Sequence, residues 1–329
     1  MITERQKDVL KKIVENYIKT AQPVGSKNIC ENIDCSSATI RNDMAALEKI
    51  GYIEKTHISS GRVPSELGYR YYVDNLMEPQ KMTGEDMLKL QKIFHNSSLE
   101  LSDVVKRSIE IISDMTNYTS IILGSISNEN KLKKIEVLPL DSNKIIAIIV
   151  TDKGHVEHKN ITINNVSINE VKKTVEVMND LLTGTPINEI NTKLEFEIKP
   201  IIGNYVKQHE MLYQAFYNAF SEFSKKHDTH FAGKTNFLSL PEFNTIDKVK
   251  NIIAKFEDEN LIDKIEATNN GINIYIGKEN KVDEELAVIT TRYIIDGNEE
   301  TIAIIGPKRM EYNKVVSLLN YIKDNIERE

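Results

Sequence analysis

The sequence predicts an α+β multidomain protein that begins with a winged helix-turn-helix domain. Its 329 residues are enough for two or three domains, each with its own core. Within residues 1–78, three helical patterns are followed by a short polar hairpin. Beyond residue 85, β-branched strand patterns precede a block of helices and then return. That order predicts an α/β sheet domain with a helical insertion.

The three helices of residues 1–78 can be located by their caps and breaks. Thr3, followed by Gln6, has the spacing of a capping box, so the first helix should begin there. A segment with proline and glycine ends it, and a second short helix begins near Ser26. Ser36 or Ser37 caps the third helix, and a glycine follows its last turn. The next segment is typical of a small β-hairpin, which would form the wing.

The third helix has the surface of a DNA recognition helix. At about 100° per residue, Met44 and Leu47 lie within about 40° of Ile40 and form a buried stripe. The outer face carries small and polar residues, and such a face can enter a major groove about 12 Å wide. Arginine can pair with guanine, asparagine with adenine, and a small methyl group can touch a thymine methyl. We therefore predict base contacts from Ala38, Arg41 and Asn42.

Residues around this helix predict contacts with the DNA backbone. Ser36, Ser37 and Thr39 lie at the helix start, where free backbone N–H groups favour phosphate. The hairpin offers polar and basic side chains for the backbone or the minor groove: Lys55, His57, Ser60 and Arg62. Arg70, on the following helix, completes the predicted DNA-binding set. A winged helix can also be a protein-interaction module, and the helix pattern leaves that alternative open.

Composition and charge limit the classes of function. The net charge is −7, which argues against non-specific coating of nucleic acid, although a neutral domain can still bind DNA through one basic face. There is no run of 18 apolar residues and no signal-peptide core, so we expect a cytoplasmic protein without a membrane partner. The sequence shows no nucleophile–base pair and no metal-ligand cluster, so we expect no cofactor, no metal and no enzymatic activity.

The rest of the chain is predicted to form a split sheet domain, residues 85–163 and 228–329, around a helical insertion at residues 164–227. The strongest helical pattern of the chain lies in that insertion. Aromatic residues widen its apolar face, which favours a helix–helix interface between two copies. We predict dimer contacts from Leu212, Tyr213, Phe216, Tyr217 and Phe220. A palindromic DNA site would require such a dimer.

Three longer stretches carry a family resemblance. They are VGSKNICENIDCSSATIRNDMAALEKIGYIEKTHISSGRVPSELGYRYYVD (Val24–Asp74), FAGKTNFLSLPEF (Phe231–Phe243) and AIIGPKRMEYNKVVSLLNYI (Ala303–Ile322). The first resembles the DNA-binding domain of the heat-inducible transcription repressor family HrcA. The other two resemble that family's middle and C-terminal signatures, so the resemblance covers almost the whole chain.

The resemblance implies more than the residue patterns do. HrcA proteins have an N-terminal winged helix, a GAF-like domain and a dimerisation domain inserted into it. Membership implies a homodimeric repressor of chaperone operons of the GroE and DnaK type, which binds the CIRCE inverted repeat in double-stranded DNA. It also implies that heat and the chaperonin GroEL modulate the activity. The alternative is a small-molecule-responsive winged-helix regulator of a metabolic operon, with the GAF-like domain as its sensor.

Overall fold

The computed structural model describes most of the chain. The described residues are 2–31, 33, 35–55, 61–96, 98–124, 130–141, 143–152, 154, 156–163, 166–201, 203, 210–225, 228–258, 261–265, 271–295 and 298–327. They divide into two compact units. The first unit comprises residues 1–123 and 229–329, and the second comprises residues 124–228.

The longer helices are labelled here in chain order. They are α1 (Glu4–Thr20), α2 (Ser26–Cys30), α3 (Ser37–Lys49), α4 (Glu66–Tyr71), α5 (Gly84–Phe94), α6 (Leu101–Thr116), α7 (Ile168–Leu182), α8 (Glu210–Lys225), α9 (Ile246–Phe256) and α10 (Tyr312–Ile326). A π-helical turn, Tyr72–Leu76, continues α4. Shorter helical segments are Ile187–Glu189, Ile190–Lys193, Leu194–Ile198, Lys199–Ile201, Asn236–Ser239, Pro241–Phe243, Leu261–Lys264 and Gly277–Glu279.

The strands form three separate sheets. They are β1 (Ile53–Lys55), β2 (Arg62–Pro64), β3 (Thr119–Gly124), β4 (Leu132–Pro139), β5 (Lys144–Thr151), β6 (Val156–Thr162), β7 (Asp228–Ala232), β8 (Asn273–Ile276), β9 (Leu286–Ile295) and β10 (Asn298–Pro307). The first sheet is the antiparallel pair β1–β2. The second has five strands in the order β7-β3-β10-β9-β8, and the third is the antiparallel meander β4-β5-β6.

The predicted winged helix-turn-helix is confirmed, and its local chemistry explains where each element begins and ends. Thr3 caps α1 in a complete capping box, since its hydroxyl accepts from the Gln6 N–H and its own N–H donates to the Gln6 side chain. Ser36 caps α3, and Gly51 follows that helix with φ of 83°. Paired backbone hydrogen bonds of 2.8 and 2.9 Å between Val24 and Arg62 tie the wing to the helix-turn-helix. This domain, residues 2–76, is called the head below.

The head and the five-stranded sheet share one hydrophobic core. Val9 and Leu10 of α1 belong to the same buried cluster as Ile289 and Ile304 on one face of the sheet. Leu319, from α10, lies in that cluster too. The opposite sheet face packs in a second cluster, against α9 and the aromatic residues near position 240. The five-stranded sheet with its covering helices, called the sheet domain below, is therefore buried on both faces.

The second unit corrects the predicted domain boundary. Strands β4, β5 and β6 were expected in the split sheet domain, with the insertion starting at residue 164. They form a separate sheet instead, and the unit that holds them begins at residue 124. Ile135, Ala147 and Ile161 line the buried face of this sheet and join one core with Val171 of α7 and Phe216 of α8. Alternating strands show which face is buried, but they do not show which helices cover it.

The second unit also corrects the predicted dimer contacts. Leu212, Tyr213, Phe216 and Phe220 are buried inside the unit's own core, and Phe216 and Phe220 have no exposed surface. Only Tyr217, of the five predicted residues, is partly exposed. The apolar face of α8 is thus used within the chain, because it packs in one core with the three-stranded sheet.

No helix within the described residues is both long and apolar enough to cross a membrane.

Candidate nucleic-acid interface

The recognition helix α3 presents the predicted reading face to solvent. Ile40 and Leu47 are fully buried, and together with Met44 they anchor the helix in the head. The three predicted base-reading residues, Ala38, Arg41 and Asn42, are all exposed. Ala45 continues this face by one turn and is also exposed. The outer surface of α3 therefore combines an arginine, an amide and small side chains, which is the chemistry that reads a major groove.

Hydroxyl groups at the start of α3 organise its first turn. The Ser36 hydroxyl accepts from the Thr39 N–H at 3.2 Å and lies 2.9 Å from the Thr39 hydroxyl. The Ser37 hydroxyl lies 2.9 Å from that of Ser26, on α2. These bonds order the N-terminal end of α3. The helix dipole makes the backbone potential most positive at that end, which favours a phosphate. The structure thus brings all three predicted anchors, Ser36, Ser37 and Thr39, to one helix end.

A concave basic surface adjoins the reading face. Arg41 projects from α3 toward α2, where its Nε atom lies 3.4 Å from the Ser26 hydroxyl. The described residues that line the concavity are Gly25, Ser26, Lys27, Asn28, Arg41, Met44, Lys55 and Arg62. Four of these are cations, and none is an acid. Because α2 and the base of the wing supply the other cations beside Arg41, a DNA backbone that follows this surface would meet positive charge on both sides of α3.

The base of the wing is held in place by Gly61 and Arg62. A Cβ atom at Gly61 would lie 2.7 Å from the Cβ of Pro23 and 2.9 Å from its carbonyl, so only glycine fits this approach. The Arg62 guanidinium donates to Glu48 of α3 at 2.8 Å. Arg62 therefore joins the wing to the recognition helix, and Glu48 offsets part of its charge. The predicted wing contacts His57 and Ser60 lie outside the described residues.

Arg70 departs from its predicted role. Its guanidinium donates to both carboxylate oxygens of Glu279, to the Ile274 carbonyl at 2.5 Å and to Asp74 at 3.1 Å. Burial opposes the charge, but the pairing with Glu279 and Asp74 raises the Arg70 pKa above its ordinary value. Because these acceptors occupy most of its donors, the structure gives Arg70 the role of joining the head to the sheet domain. Helix position alone could not reveal this pairing, because Glu279 is 209 residues away in sequence.

Two functional residues were missed by the sequence analysis. Asp43 is buried on the inner side of α3, where it accepts from Arg5 at 2.6 Å and from Gln6 at 3.4 Å, and so ties α3 to α1. A helical wheel gives the signal, since Asp43 lies about 60° from Ile40 and a carboxylate on a buried face requires partners. Lys27 was missed as a cation of the concave surface. Its place on the first helix of the helix-turn-helix, which crosses the DNA backbone, is the corresponding signal.

The described residues hold no metal-ligand cluster, and the cavity of the sheet domain beside Tyr275 is small. No group of three or more His, Cys, Asp or Glu side chains among them is placed to hold a metal ion. A cavity of the sheet domain, beside Lys264, Tyr275 and Val288, has a volume of about 20 Å³. That is room for about one water molecule, far below the usual ligand pocket of about 300–1,000 Å³.

An exposed Arg-Asn face on a serine-capped helix, beside a basic concavity and a wing, defines a winged helix-turn-helix DNA-binding protein. Comparisons with known proteins give the family. The family model for the winged helix-turn-helix transcription repressor HrcA DNA-binding domain matches residues 1–71, and the model for the HrcA protein C-terminal domain matches residues 102–316. The chain belongs to the HrcA family.

Individual relatives agree with this assignment. The heat-inducible transcription repressor HrcA of Bacillus pumilus (strain SAFR-032) is 40% identical over 333 residues, which cover 99% of this chain and 97% of that protein. A crystal structure described only as a hypothetical protein has a TM-score of 0.64 and 25% identity, covering 100% of this chain and 98% of that one. The IclR protein of Thermotoga maritima has a TM-score of 0.21 and 12% identity, covering 97% and 96%, which is too low to support an argument.

Proposed function

We propose that this chain is a sequence-specific transcription repressor of heat-shock chaperone operons, acting in the cytoplasm. The observation that carries the proposal is the exposed face of α3, with Ala38, Arg41 and Asn42 beside the basic concavity. Arg41 and Asn42 supply bidentate hydrogen-bond chemistry for guanine and adenine. The cations of the concavity supply affinity that does not depend on sequence. Family membership supports repression of heat-shock genes as the use of that binding.

The proposed operator is an inverted repeat of the CIRCE type, bound by a homodimer. Half-sites on opposite strands are related by a twofold axis, so two heads related by the same symmetry read them alike. We propose a dimer but assign no residues to its interface, because the residues of α8 predicted for it lie mostly in the core of the second unit. Light scattering at protein concentrations above and below the operator dissociation constant tests the dimer directly.

The proposed regulation couples repression to heat and to the chaperonin GroEL. Unfolding has a large enthalpy, so a marginally stable repressor loses its active population steeply on heating. A chaperonin that refolds the chain would restore the active population. Operator binding that persists unchanged through heat shock, with or without GroEL, would contradict this part of the proposal.

Fluorescence anisotropy with a CIRCE-type inverted repeat tests the DNA-binding function. A scrambled duplex of equal length serves as the competitor, and both titrations are run at two salt concentrations. We expect tight binding to the repeat that survives the higher salt, and weak binding to the scramble that does not. Equal weak binding to both duplexes, with and without GroEL, would refute a sequence-specific repressor.

Variants of the reading face sharpen that test. Arg41→Ala should weaken operator binding by about 1–3 kcal/mol and relax the sequence preference at one position. Arg107→Ala is the matched control, because Arg107 is also an exposed arginine but lies on α6. Both variants remove one positive charge, so only a loss specific to Arg41 reports base reading. Equal affinities of the two variants for the operator would refute the assignment of α3 as the recognition helix.

A further inference from the structure

The boundary between the head and the sheet domain is built by two arginines that cross it in opposite directions. From the head, Arg70 on α4 donates to Glu279 and to the Ile274 carbonyl of the sheet domain. From the sheet domain, Arg309 donates to the Ile18 carbonyl of α1 at 3.1 Å. Each arginine thus bonds a backbone carbonyl on the far side of the boundary. The two arginines and their partners are called the arginine junction below.

Arg309 lies in the C-terminal signature stretch and is well placed to hold α1. Its carbonyl acceptor, Ile18, is in the last turn of that helix, where carbonyl groups lack helical partners and the helix dipole is negative. The guanidinium also donates to Glu242, at 3.1 Å for one of the two bonds, and the Arg309 side chain is mostly buried. A charge-assisted fork on one carboxylate leaves the arginine little rotational freedom. The end of α1 is therefore held at one position on the sheet domain.

A second set of contacts joins α4 to the sheet domain. Lys308 pairs with Glu66, in the first turn of α4, at 3.2 Å. The rings of Tyr69 and Tyr312 lie with their centroids 6.1 Å apart, and both residues are buried. A Cβ at Gly277, where φ is 55°, would lie 3.0 Å from the Glu66 Cγ and closer still to its carboxylate. These contacts seat α4 against the sheet domain, and the arginines of the junction add the directional hydrogen bonds that fix its orientation there.

Neither arginine of the junction is part of the concave basic surface. We propose that Arg70 and Arg309 are positioning residues that fix the angle of α3 on the sheet domain and thereby select the spacing between operator half-sites. This inference depends on the proposed function as a dimeric DNA-binding repressor. Each base pair added between half-sites moves them apart by about 3.4 Å and rotates them by about 34°. Heads held by the junction cannot follow that change. The shared hydrophobic core is non-directional, so heads without the junction can turn on it.

The experiment compares half-site and full-site binding. Wild-type protein, Arg309→Met and Glu279→Gln are titrated with a single half-site and with inverted repeats whose spacer is lengthened or shortened by one or two base pairs. Glu279→Gln keeps the shape of a half-exposed side chain, so it preserves the fold if Arg309→Met does not. Arg292→Met is the matched control, since it breaks an arginine–glutamate pair between β9 and β10 that includes no residue of the junction.

We expect a spacer change to cost the wild-type protein about 100-fold in affinity, the avidity lost when two sites cannot be engaged together. In the junction variants the same change should cost less than about tenfold, while half-site affinity stays within about twofold of wild type. Arg309→Lys should be intermediate, and Arg292→Met should match wild type. Junction variants with the wild-type spacer profile would overturn the inference, and so would a wild type that binds the repeat without spacer preference. A wild type that does not prefer any repeat over scrambled DNA would instead refute the proposed function.

Discussion

Replacing Gly68 with alanine tests how closely α4 packs on the chain that follows the recognition helix. A Cβ at Gly68 would lie 3.0 Å from the carbonyl carbon of Tyr52 and closer still to its oxygen. Backbone atoms cannot swing aside as a side chain does, so α4 must move as a whole. The Tyr52 carbonyl also accepts from the Ser65 N–H at 3.1 Å, and that bond would be strained by the same movement.

Opposing terms decide the size of the Gly68→Ala effect. Overpacking of this kind costs about 1–3 kcal/mol. Loss of the Ser65–Tyr52 hydrogen bond adds about 1 kcal/mol. Alanine returns about 1 kcal/mol because it favours a helix more than glycine does. The net expectation is a loss of about 1–3 kcal/mol in the free energy of unfolding.

Gly84→Ala is the control that separates packing from helix propensity. Gly84 is the first residue of α5, is exposed, and has no atom within 4 Å of an added Cβ. The same exchange there should therefore stabilise the protein by up to about 1 kcal/mol. Urea denaturation of the full chain, followed by circular dichroism and fitted with one transition for each unit, measures both variants. If Gly68→Ala is as stable as Gly84→Ala, the close contact between α4 and Tyr52 does not exist.

Three further predictions concern the second unit, alkaline stability and the basic surface. Phe216→Ala should lower the unfolding free energy of the second unit by about 3–5 kcal/mol, because the ring is fully buried. If light scattering shows a change in dimer affinity while the unfolding free energy is unchanged, Phe216 does not belong to the core. Burial raises the pKa of Tyr118 to about 12, above the unfolded value of about 10, so the stability gained by keeping the Tyr118 hydroxyl neutral is intact below pH 10 and up to about 2–3 kcal/mol of it is lost as the pH rises toward 12. Tyr118→Phe should remove that part of the alkaline loss, measured by urea titrations at pH 9 and pH 11. An unchanged dependence of stability on pH would count against this prediction. Glu48→Gln should tighten DNA binding about two- to fivefold at low salt, because the neutral glutamine no longer offsets the positive charge of Arg62. An affinity gain that does not shrink as salt is added would point to another cause.

Features that depend on near neighbours in sequence could be predicted. The capping box of Thr3 and Gln6, the Ser36 cap and the left-handed Gly51 each involve groups within a few residues of one another. The exposed face of α3 also followed from sequence, because a helical wheel needs only the order of residues. Together these features were enough to place the candidate recognition surface, including Arg41, before any tertiary contact was known.

Features that depend on distant partners could not be predicted. The periodicity of α8 shows that Phe216 lies on an apolar face, but it cannot tell a dimer partner from the chain's own three-stranded sheet. The strand pattern of β5 is equally compatible with either sheet. Arg70 was expected to meet DNA because it is a cation near the wing. Its acceptor in the structure, Glu279, is 209 residues away in sequence. The charge of a side chain does not show by itself which group the side chain will pair with.

The core shared by the head and the sheet domain has a consequence for the response to heat. Val9 of α1 and Ile289 of β9 are buried in one continuous cluster, so neither side keeps its apolar surface covered when the other opens. We therefore expect the head to melt in the same cooperative transition as the sheet domain. Under the proposed function, a cell that warms past this transition would lose operator occupancy because this core unfolds, and the melting point of the core would set the temperature at which the repressed genes are released.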